Sequence, residues 1–268
     1  MKNCLIYLFA ITMVMVSCEE VVDVDLETSD PRLVIDAGIE WRKGTDGSQQ
    51  SIRLSTTSGY YDADVPPVLG AQVFVTNVEG TVFDFVEVTG TGEYRCTNFV
   101  AVINAAYELT VIIDGNTYKA NERLISVPEI GSIEQEEDGG FLGDEMEVTF
   151  YFQDNGAEDN FYLTRYWTDF LIEPEYAVNS DEFTQGNEMF DRFSHEDLES
   201  GNRLDLALYG ISERFYNYMS LILETEGGAF QTPPANIRGN IINVTDESDY
   251  AYGYFRLSEV DRRLYEVR

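Results

Sequence analysis

The chain offers few side chains suited to covalent chemistry. It has one histidine, His195, and three cysteines, against 49 aspartates and glutamates. A serine hydrolase needs a base beside its nucleophile. The fragment nearest to a nucleophile elbow, residues 210–214 (GISER), lacks the final glycine and opens a helical pattern. A zinc centre needs more ligands than one histidine and one free cysteine supply. We therefore expect neither site and interpret His195 as a surface residue.

Phosphate-binding chemistry is also not indicated. The Gly-Thr-Gly at residues 90–92 runs into Glu93-Tyr94-Arg95, without the third glycine and helix of a dinucleotide site or the lysine of a P-loop. A formal net charge of -32 repels phosphate backbones and anionic lipid surfaces. We expect no nucleic-acid partner and no binding to lipid headgroups through charge.

Carboxylates are the abundant functional groups. Glycoside hydrolysis needs only two of them, but no pair stands out, so we assign no catalytic residue and predict a non-enzymatic protein. Residues 154–160 (DNGAEDN) are typical of oxygen ligands for calcium, yet they lack the EF-hand spacing. A plain hairpin turn is the favoured interpretation, and residues 134–138 are interpreted as solvated charge. We assign no metal-ligating residue and expect no cofactor; the sequence does not decide whether calcium binds.

Aromatic residues suggest binding rather than reaction. Tyr250, Tyr252 and Tyr254 alternate, which places their rings on one face of a strand. Such a face can stack on sugars or peptides, although packing within a sheet is the favoured interpretation. Cys96 lies in the strand-like EYRC and is interpreted as a buried thiol rather than a nucleophile.

The amino terminus carries a targeting signal. Residues 1–17 have one positive charge, an apolar run and a small residue before Cys18, as in a secretory signal peptide. The segment Met15-Val16-Ser17-Cys18 resembles a bacterial lipobox, which implies that Cys18 is acylated and anchors the chain in outer-membrane lipid. Residues 18–31 are acidic and resemble the export tag of Bacteroidota surface lipoproteins; a solvated tether is the alternative.

The rest of the chain has the pattern of a mainly β protein with two β-sandwich-like domains. Residues 32–127 contain short strands separated by turns, with Asp114-Gly115 the strongest hairpin signal. We predict an immunoglobulin-like or transthyretin-like sandwich there.

Residues 128–268 are predicted to form a second β-rich domain with one packed helix, from Ser212 to about Glu226. Its apolar stripe is Phe215, Met219 and Ile222. In this domain, residues 128–143 are interpreted as a linker or loop. Residues 145–153 and 161–167 are interpreted as paired strands, and residues 179–203 as a long surface loop.

Several stretches, in their order along the chain, resemble the Bacteroidota lipoprotein family known as domain of unknown function 4249. They are CEEVVDVDL from Cys18, LVIDAGIE from Leu33, IRLSTTSGYYD from Ile52, PVLGAQVFVTNVEG from Pro67, AYELTVIIDGNTYKA from Ala106, DNGAEDNFYL from Asp154 and NIRGNIINVTDESDYAYGYFRLSEV from Asn236. The resemblance implies an outer-membrane surface lipoprotein, encoded beside a TonB-dependent receptor. The family has no agreed active site, so it supplies no functional residues.

These observations predict a lipid-anchored accessory or binding subunit of a TonB-dependent transport system on the cell exterior. Its partners would be outer-membrane lipid, through Cys18, and a TonB-dependent receptor. A free-standing glycan- or peptide-binding module is the alternative, and an acidic glycoside hydrolase is the least favoured one. The ligand-binding residues are not identifiable from the sequence.

Overall fold

A computed structural model of the chain describes residues 30–59, 64–227 and 236–268. Cys18 and most of the acidic tether lie outside these residues. Residues Pro31–Arg268 form one compact unit, which is mainly β. The described helix is too short and too polar to cross a membrane. The strands are β1 (Leu33–Arg42), β2 (Gln50–Thr56), β3 (Gln72–Asn77), β4 (Val82–Val88), β5 (Glu93–Cys96), β6 (Ala106–Ile113), β7 (Asn116–Ile125), β8 (Ile130–Gly139), β9 (Glu145–Gln153), β10 (Phe161–Trp167), β11 (Glu175–Ser180), β12 (Glu188–Ser194), β13 (Arg203–Ile211), β14 (Ile242–Asn243) and β15 (Tyr252–Glu266), and the helix is α1 (Glu213–Gly227).

Strands β6 and β7 form the hairpin that the sequence predicts. Asp114 and Gly115 both have positive φ, at 49° and 81°, as a two-residue turn of this type requires. This turn sets the register of β6 against β7, because Ile113 lies directly opposite Asn116. Strands β3 and β4 form another antiparallel hairpin, with Val75 opposite Phe83.

Eight strands close into a ring in the order β15, β1, β2, β5, β4, β3, β6 and β7. The closing contact is a short parallel pairing in which Leu257 of β15 lies opposite Leu124 of β7. Alternate residues of these strands point inward and exclude water from the first core. Its fully buried members include Ile35, Ile39, Leu54, Val75, Tyr94, Leu109, Val111 and Phe255.

Strands β13, β10 and β11 extend the same sheet beyond β15, and this extension is covered on both faces. Leu204, Leu206 and Leu208 of β13 face a separate sheet of β12, β9 and β8. Ala207 and Tyr209 point the other way, into the core beneath α1. Burial on both faces explains why β13 reads as an almost continuous apolar run.

The structure does not confirm two separate sandwiches. Strand β15 has 15 residues, a length of about 50 Å, and it belongs to both parts of the sheet. Its first half pairs in parallel with β1, and its second half pairs with β13. A parallel pairing between the two ends of the chain leaves no turn signal in the sequence.

Strands β9 and β10 are present with the predicted bounds, but their predicted pairing is wrong. Strand β9 pairs with β8 and β12, whereas β10 pairs with β11 and β13 in the other sheet. The two strands face each other across the second core, where the rings of Phe152 and Tyr162 lie 4.9 Å apart. Residues 154–160 therefore connect two sheets and are not a hairpin turn.

Two segments interpreted as irregular are strands. Residues 128–143 contain β8, which includes the acidic residues 134–138, and residues 179–203 contain β12. Both lie at the edges of the three-stranded sheet, with a single neighbour, β9. An edge strand with one exposed face carries charged residues and lacks a strong apolar period. The hydrophobic pattern of the sequence therefore does not identify it as a strand.

Helix α1 is confirmed. The main-chain N–H of Phe215 donates to Ser212 Oγ at 3.3 Å, so Ser212 caps the helix as predicted. Phe215 and Met219 belong to the core shared with Leu163 of β10, which places the predicted apolar stripe on the sheet extension.

Candidate functional site: an aromatic cleft beneath helix α1

A cleft of about 270 Å³ lies between α1 and the sheet. Its walls come from four parts of the chain: α1, the start of β1, the strands β10 and β11, and the start of β15. The helix docks here because its apolar stripe covers the outer face of the sheet extension. The lining residues are Asp36, Gly38, Leu163, Tyr176, Phe215, Tyr218, Met219, Ile222, Gly253, Tyr254 and Arg256.

Three aromatic rings form one wall of the cleft. Tyr254 meets Phe215 nearly at right angles, with centroids 4.8 Å apart, and lies 4.9 Å from the ring of Tyr218. The hydroxyl of Tyr254 donates to Glu122 Oε2 at 3.4 Å, and Ser212 Oγ donates to the same oxygen at 3.0 Å. Burial, followed by the Glu122 carboxylate, raises the pKa of Tyr254. The phenol therefore stays protonated at neutral pH and serves as a packing and hydrogen-bonding group.

Arg256 contributes the positive charge of the cleft. Its Nη2 lies 3.0 Å from Glu40 Oε1, and its side chain is only 14% exposed. The guanidinium carbon lies 5.0 Å and 5.4 Å from the ring centroids of Tyr209 and Phe215. Burial lowers the pKa of Arg256, but Glu40 and Tyr209 outweigh that effect and the net shift is upward. Its Nη1 is buried and has no hydrogen-bond partner among the described residues.

Two glycines make this arrangement possible. A Cβ at Gly38 would lie 2.9 Å from Arg256 Nη2, so a larger residue would push the guanidinium away. Gly253 has a φ of +97°, and a Cβ there would lie 2.0 Å from the main-chain oxygen of Ile35. The close approach of β15 to β1 therefore depends on glycine at residue 253.

The lining of the cleft combines apolar and aromatic side chains with one positive charge. Aromatic faces and one guanidinium can hold an apolar or planar group with a carbonyl or carboxylate oxygen. The described lining residues include no histidine, cysteine, serine or lysine, and a single carboxylate, Asp36. A glycosidase needs two opposed carboxylates, and this lining does not supply them.

The tyrosines that the sequence places on one face are separated in the structure. The rings of Tyr250 and Tyr252 meet edge to face, 5.4 Å apart, whereas Tyr254 packs under α1. The guanidinium carbons of Arg32 and Arg238 lie 4.1 Å and 3.7 Å from the centroid of the Tyr250 ring. Tyr250 is thus held by cation–π contacts beside the start of β1, and it takes no part in the cleft.

The other residues singled out in the sequence lie apart from the cleft. Cys96 is buried in β5, as predicted. His195 directly follows β12, its ring lies 4.8 Å from that of Phe170, and its Nδ1 accepts a hydrogen bond from the Asp197 main chain. His195 is therefore partly packed rather than fully solvated. The glycines of residues 90–92 form the turn between β4 and β5.

Sequence reasoning identified one wall of the cleft and missed the rest. The apolar stripe of α1 and Tyr254 were visible in the sequence. Tyr176 and Arg256 were not, because they come from strands that are distant from α1 along the chain. The sequence signal for Arg256 was a positive charge within the otherwise apolar stretch YFRL of a strongly acidic chain.

The described residues form a mainly β protein with one packed helix and a small cleft lined by aromatic side chains. The chain belongs to the family described as "Domain of unknown function (DUF4249)", whose sequence profile matches residues 19–263. This agrees with the resemblance noted from the sequence. No curated protein matches the chain.

Solved structures show weak likenesses. A DUF4785 family protein from Legionella pneumophila matches at 10% identity, with a TM-score of 0.26, over 66% of this chain and 50% of that protein. The chain therefore spans half the length of that protein. A two-domain fibronectin type III segment from chicken tenascin matches at 9% identity, with a TM-score of 0.23, over 68% and 91% of the two chains. The FN1-FN3 domains of chicken CNTN1 match at 10% identity, with a TM-score of 0.21, over 69% and 61%. At these TM-scores the likenesses carry no conclusion about function.

Proposed function

We propose that this protein is an outer-membrane surface lipoprotein that acts by binding, without catalysis, as an accessory subunit of a TonB-dependent transport system. Its anchor is the acylated Cys18, and its ligand-binding surface is the cleft beneath α1. The observation that carries the binding role is the lining of the cleft, in which aromatic rings surround a guanidinium and the described residues provide no reacting pair. Bacterial surface location and the receptor partner rest on the lipobox, the acidic tag and the family resemblance.

The unpartnered Nη1 of Arg256 indicates what the ligand presents. A buried donor without an acceptor costs about 1–3 kcal/mol. Because Nη1 is closed off from solvent, a ligand oxygen accepts from it, and removes that cost, only if the Arg256 side chain turns toward the cleft. The ligand is therefore a small molecule, or the end of a larger one, with a carbonyl or carboxylate group beside an apolar or planar part.

Co-purification tests the accessory role. The tagged full-length protein is extracted from its native outer membrane in mild detergent, and the recovered proteins are identified by mass spectrometry. Stoichiometric recovery of a TonB-dependent receptor supports the proposal. A Cys18→Ser variant, which cannot be acylated, controls for association in the extract. Recovery of the lipoprotein alone, under conditions that preserve other receptor complexes, contradicts the accessory role.

A free-standing glycan- or peptide-binding module is the second candidate. The aromatic wall of the cleft favours it, because tyrosine and phenylalanine faces stack on both ligand classes. The full-length protein in detergent is screened against glycan and peptide arrays without any receptor. Binding that is lost in Tyr218→Ala and kept in Leu221→Ala, an exposed residue on the same helix, would support this module. Absence of binding to the glycan and peptide arrays, together with recovery of a receptor, would favour the accessory role.

A further inference from the structure

Strand β11 lies at one end of the twelve-stranded sheet, and among the described strands it pairs only with β10. The two strands pair without a register shift, from Phe161 opposite Ser180 to Tyr166 opposite Glu175. Proline, lysine and bulges commonly protect an edge strand from pairing with another chain. The sequence of β11, EYAVNS, contains none of these features.

The hydrogen bonds at the end of β11 show which of its main-chain groups face the free edge. The N–H of Asp181 donates to the Asn160 oxygen at 3.2 Å, one residue beyond the pair of Phe161 and Ser180. In an antiparallel ladder, hydrogen-bonded pairs alternate with pairs that are not hydrogen-bonded. Residues 175, 177 and 179 therefore direct their main-chain groups toward β10. The main-chain N–H and C=O groups that point outward are those of Tyr176, Val178 and Ser180.

The other described sheet edges are less suited to pairing. Strand β14 has two residues, and β8 has two register shifts against β9. In β12, the bond from the Asp154 N–H to the Asn187 oxygen shows by the same alternation that Arg192 faces outward. The N–H of Arg192 already donates to Asp191 Oδ1 at 2.8 Å. Strand β11 thus combines a regular edge with outward N–H groups that no described side chain occupies.

The surface beside the β11 edge is apolar. Val178 lies opposite Leu163 of β10 and packs against the core beneath α1, and Tyr176 lines the cleft. Because paired residues share one face of a sheet, alternate side chains of a strand added to β11 lie beside Tyr176 and Val178. Ile172 and Phe183, which are 99% and 89% exposed, precede and follow the strand. They offer apolar contacts at both ends of the edge.

The charge around β11 favours a basic partner. Residues 169–184 include five aspartates and glutamates and no lysine or arginine. Glu173, Glu175 and Glu182 are exposed. Opposite charges across an interface raise the rate of association and suppress wrong partners. Basic side chains beside Glu175 lie on the face of the sheet opposite to that of Tyr176 and Val178.

We propose that β11 binds an extended polypeptide segment as an added strand. The main-chain groups of Tyr176, Val178 and Ser180 pair with the main chain of the segment. Apolar side chains of the segment face the cleft and alternate with basic side chains on the other face. This inference goes beyond the proposed transport role, because it assigns a second surface and holds whether or not a receptor is recovered.

The test uses the purified full-length protein in detergent and a displayed library of random peptides of about nine residues. Enriched peptides are expected to alternate apolar and basic residues, and the tightest one is synthesised. Val178→Pro removes an outward N–H and is expected to weaken binding of this peptide at least about tenfold. Phe190→Pro, at an outward position of β12, is the control and leaves binding unchanged. Thermal unfolding of both variants shows whether they are folded.

N-methylated peptides separate main-chain pairing from attraction by charge, and they test the wild type itself. The synthesised peptide is methylated on alternate main-chain nitrogens in two complementary series, which carry the same charge. The series that blocks the N–H groups facing β11 is expected to bind at least about tenfold more weakly than the other. Equal affinities of the two series, binding that survives in a folded Val178→Pro, or no enrichment of peptides would overturn the proposal. A dimer of the wild type that Val178→Pro dissociates would also overturn it, because a second copy would then occupy the edge.

Discussion

The ring of Tyr254 in β15 meets the ring of Phe215 in α1 edge to face, with centroids 4.8 Å apart and an angle of 69° between their planes. This contact joins the helix to the strand that is shared by the closed ring and the sheet extension. Since both residues also line the cleft, the packing that holds the helix in place shapes the binding surface.

Phe215→Ala is expected to destabilise the protein by about 3–5 kcal/mol, because Phe215 is 6% exposed and anchors α1. The matched control is Leu221→Ala on the same helix, whose side chain is 52% exposed and whose loss costs less than about 1 kcal/mol. Urea unfolding of both variants measures the difference. Equal free energies of unfolding would show that the helix is not held by its apolar face.

Arg256→Met is expected to abolish ligand binding while changing the free energy of unfolding by no more than about 1 kcal/mol. The ion pair with the 44% exposed Glu40 and the contacts with Tyr209 and Phe215 are lost. That loss is small and is offset by removal of a buried, unpartnered donor. Arg95→Met, which breaks a surface pair with Glu93, is the control. Binding that survives in Arg256→Met would place the ligand elsewhere.

Asp181→Asn is expected to change how stability depends on pH, because burial of the Asp181 side chain, which directly follows β11, raises its pKa. The pKa of Asp181 is raised in the folded state, so the folded protein holds the proton above the unfolded pKa of about 3.9. The contribution of this group to stability is therefore lost as pH rises from about 4 through the folded pKa. Relative to the wild type, the variant should gain stability over that range and keep the gain at neutral pH. Parallel stability curves of the wild type and the variant would contradict the expectation.

Cys18→Ser is expected to move the protein from the membrane to the soluble fraction. Several acyl chains on one cysteine supply stable anchoring, and the described residues contain no helix that could replace them. Fractionation measures the distribution, and intact mass measures the acyl groups on the wild type. A wild-type mass without acyl groups would exclude acylation of Cys18.

Short-range features were predictable from the sequence, and long-range ones were not. Asp114-Gly115 defines a hairpin, and Ser212 defines a helix start, because both act on neighbouring residues. The parallel pairing of β1 with β15 joins residues about two hundred positions apart, and no local pattern encodes it. Polar edge strands such as β8 were also not predictable from the sequence, because pairing with a neighbouring strand, and not a local pattern, determines their structure.

The residues of the cleft also divide into those that the sequence indicates and those that only the structure brings together. The stripe of Phe215 and Met219 showed that α1 has an apolar face, whereas the opposite wall depends on β1, β11 and β15 meeting in space.

Site-specific photo-crosslinking in the native cell tests most directly whether the protein acts through the cleft. A photoreactive phenylalanine is placed at Tyr218, which lines the cleft, and in a second strain at Leu221, which is exposed on the same helix outside the lining. Adducts that form on irradiation are identified by mass spectrometry. The binding role predicts a defined adduct from residue 218 that is absent from residue 221 and is lost when Arg256→Met is added. No adduct at residue 218, or the same adducts at both residues, would contradict it.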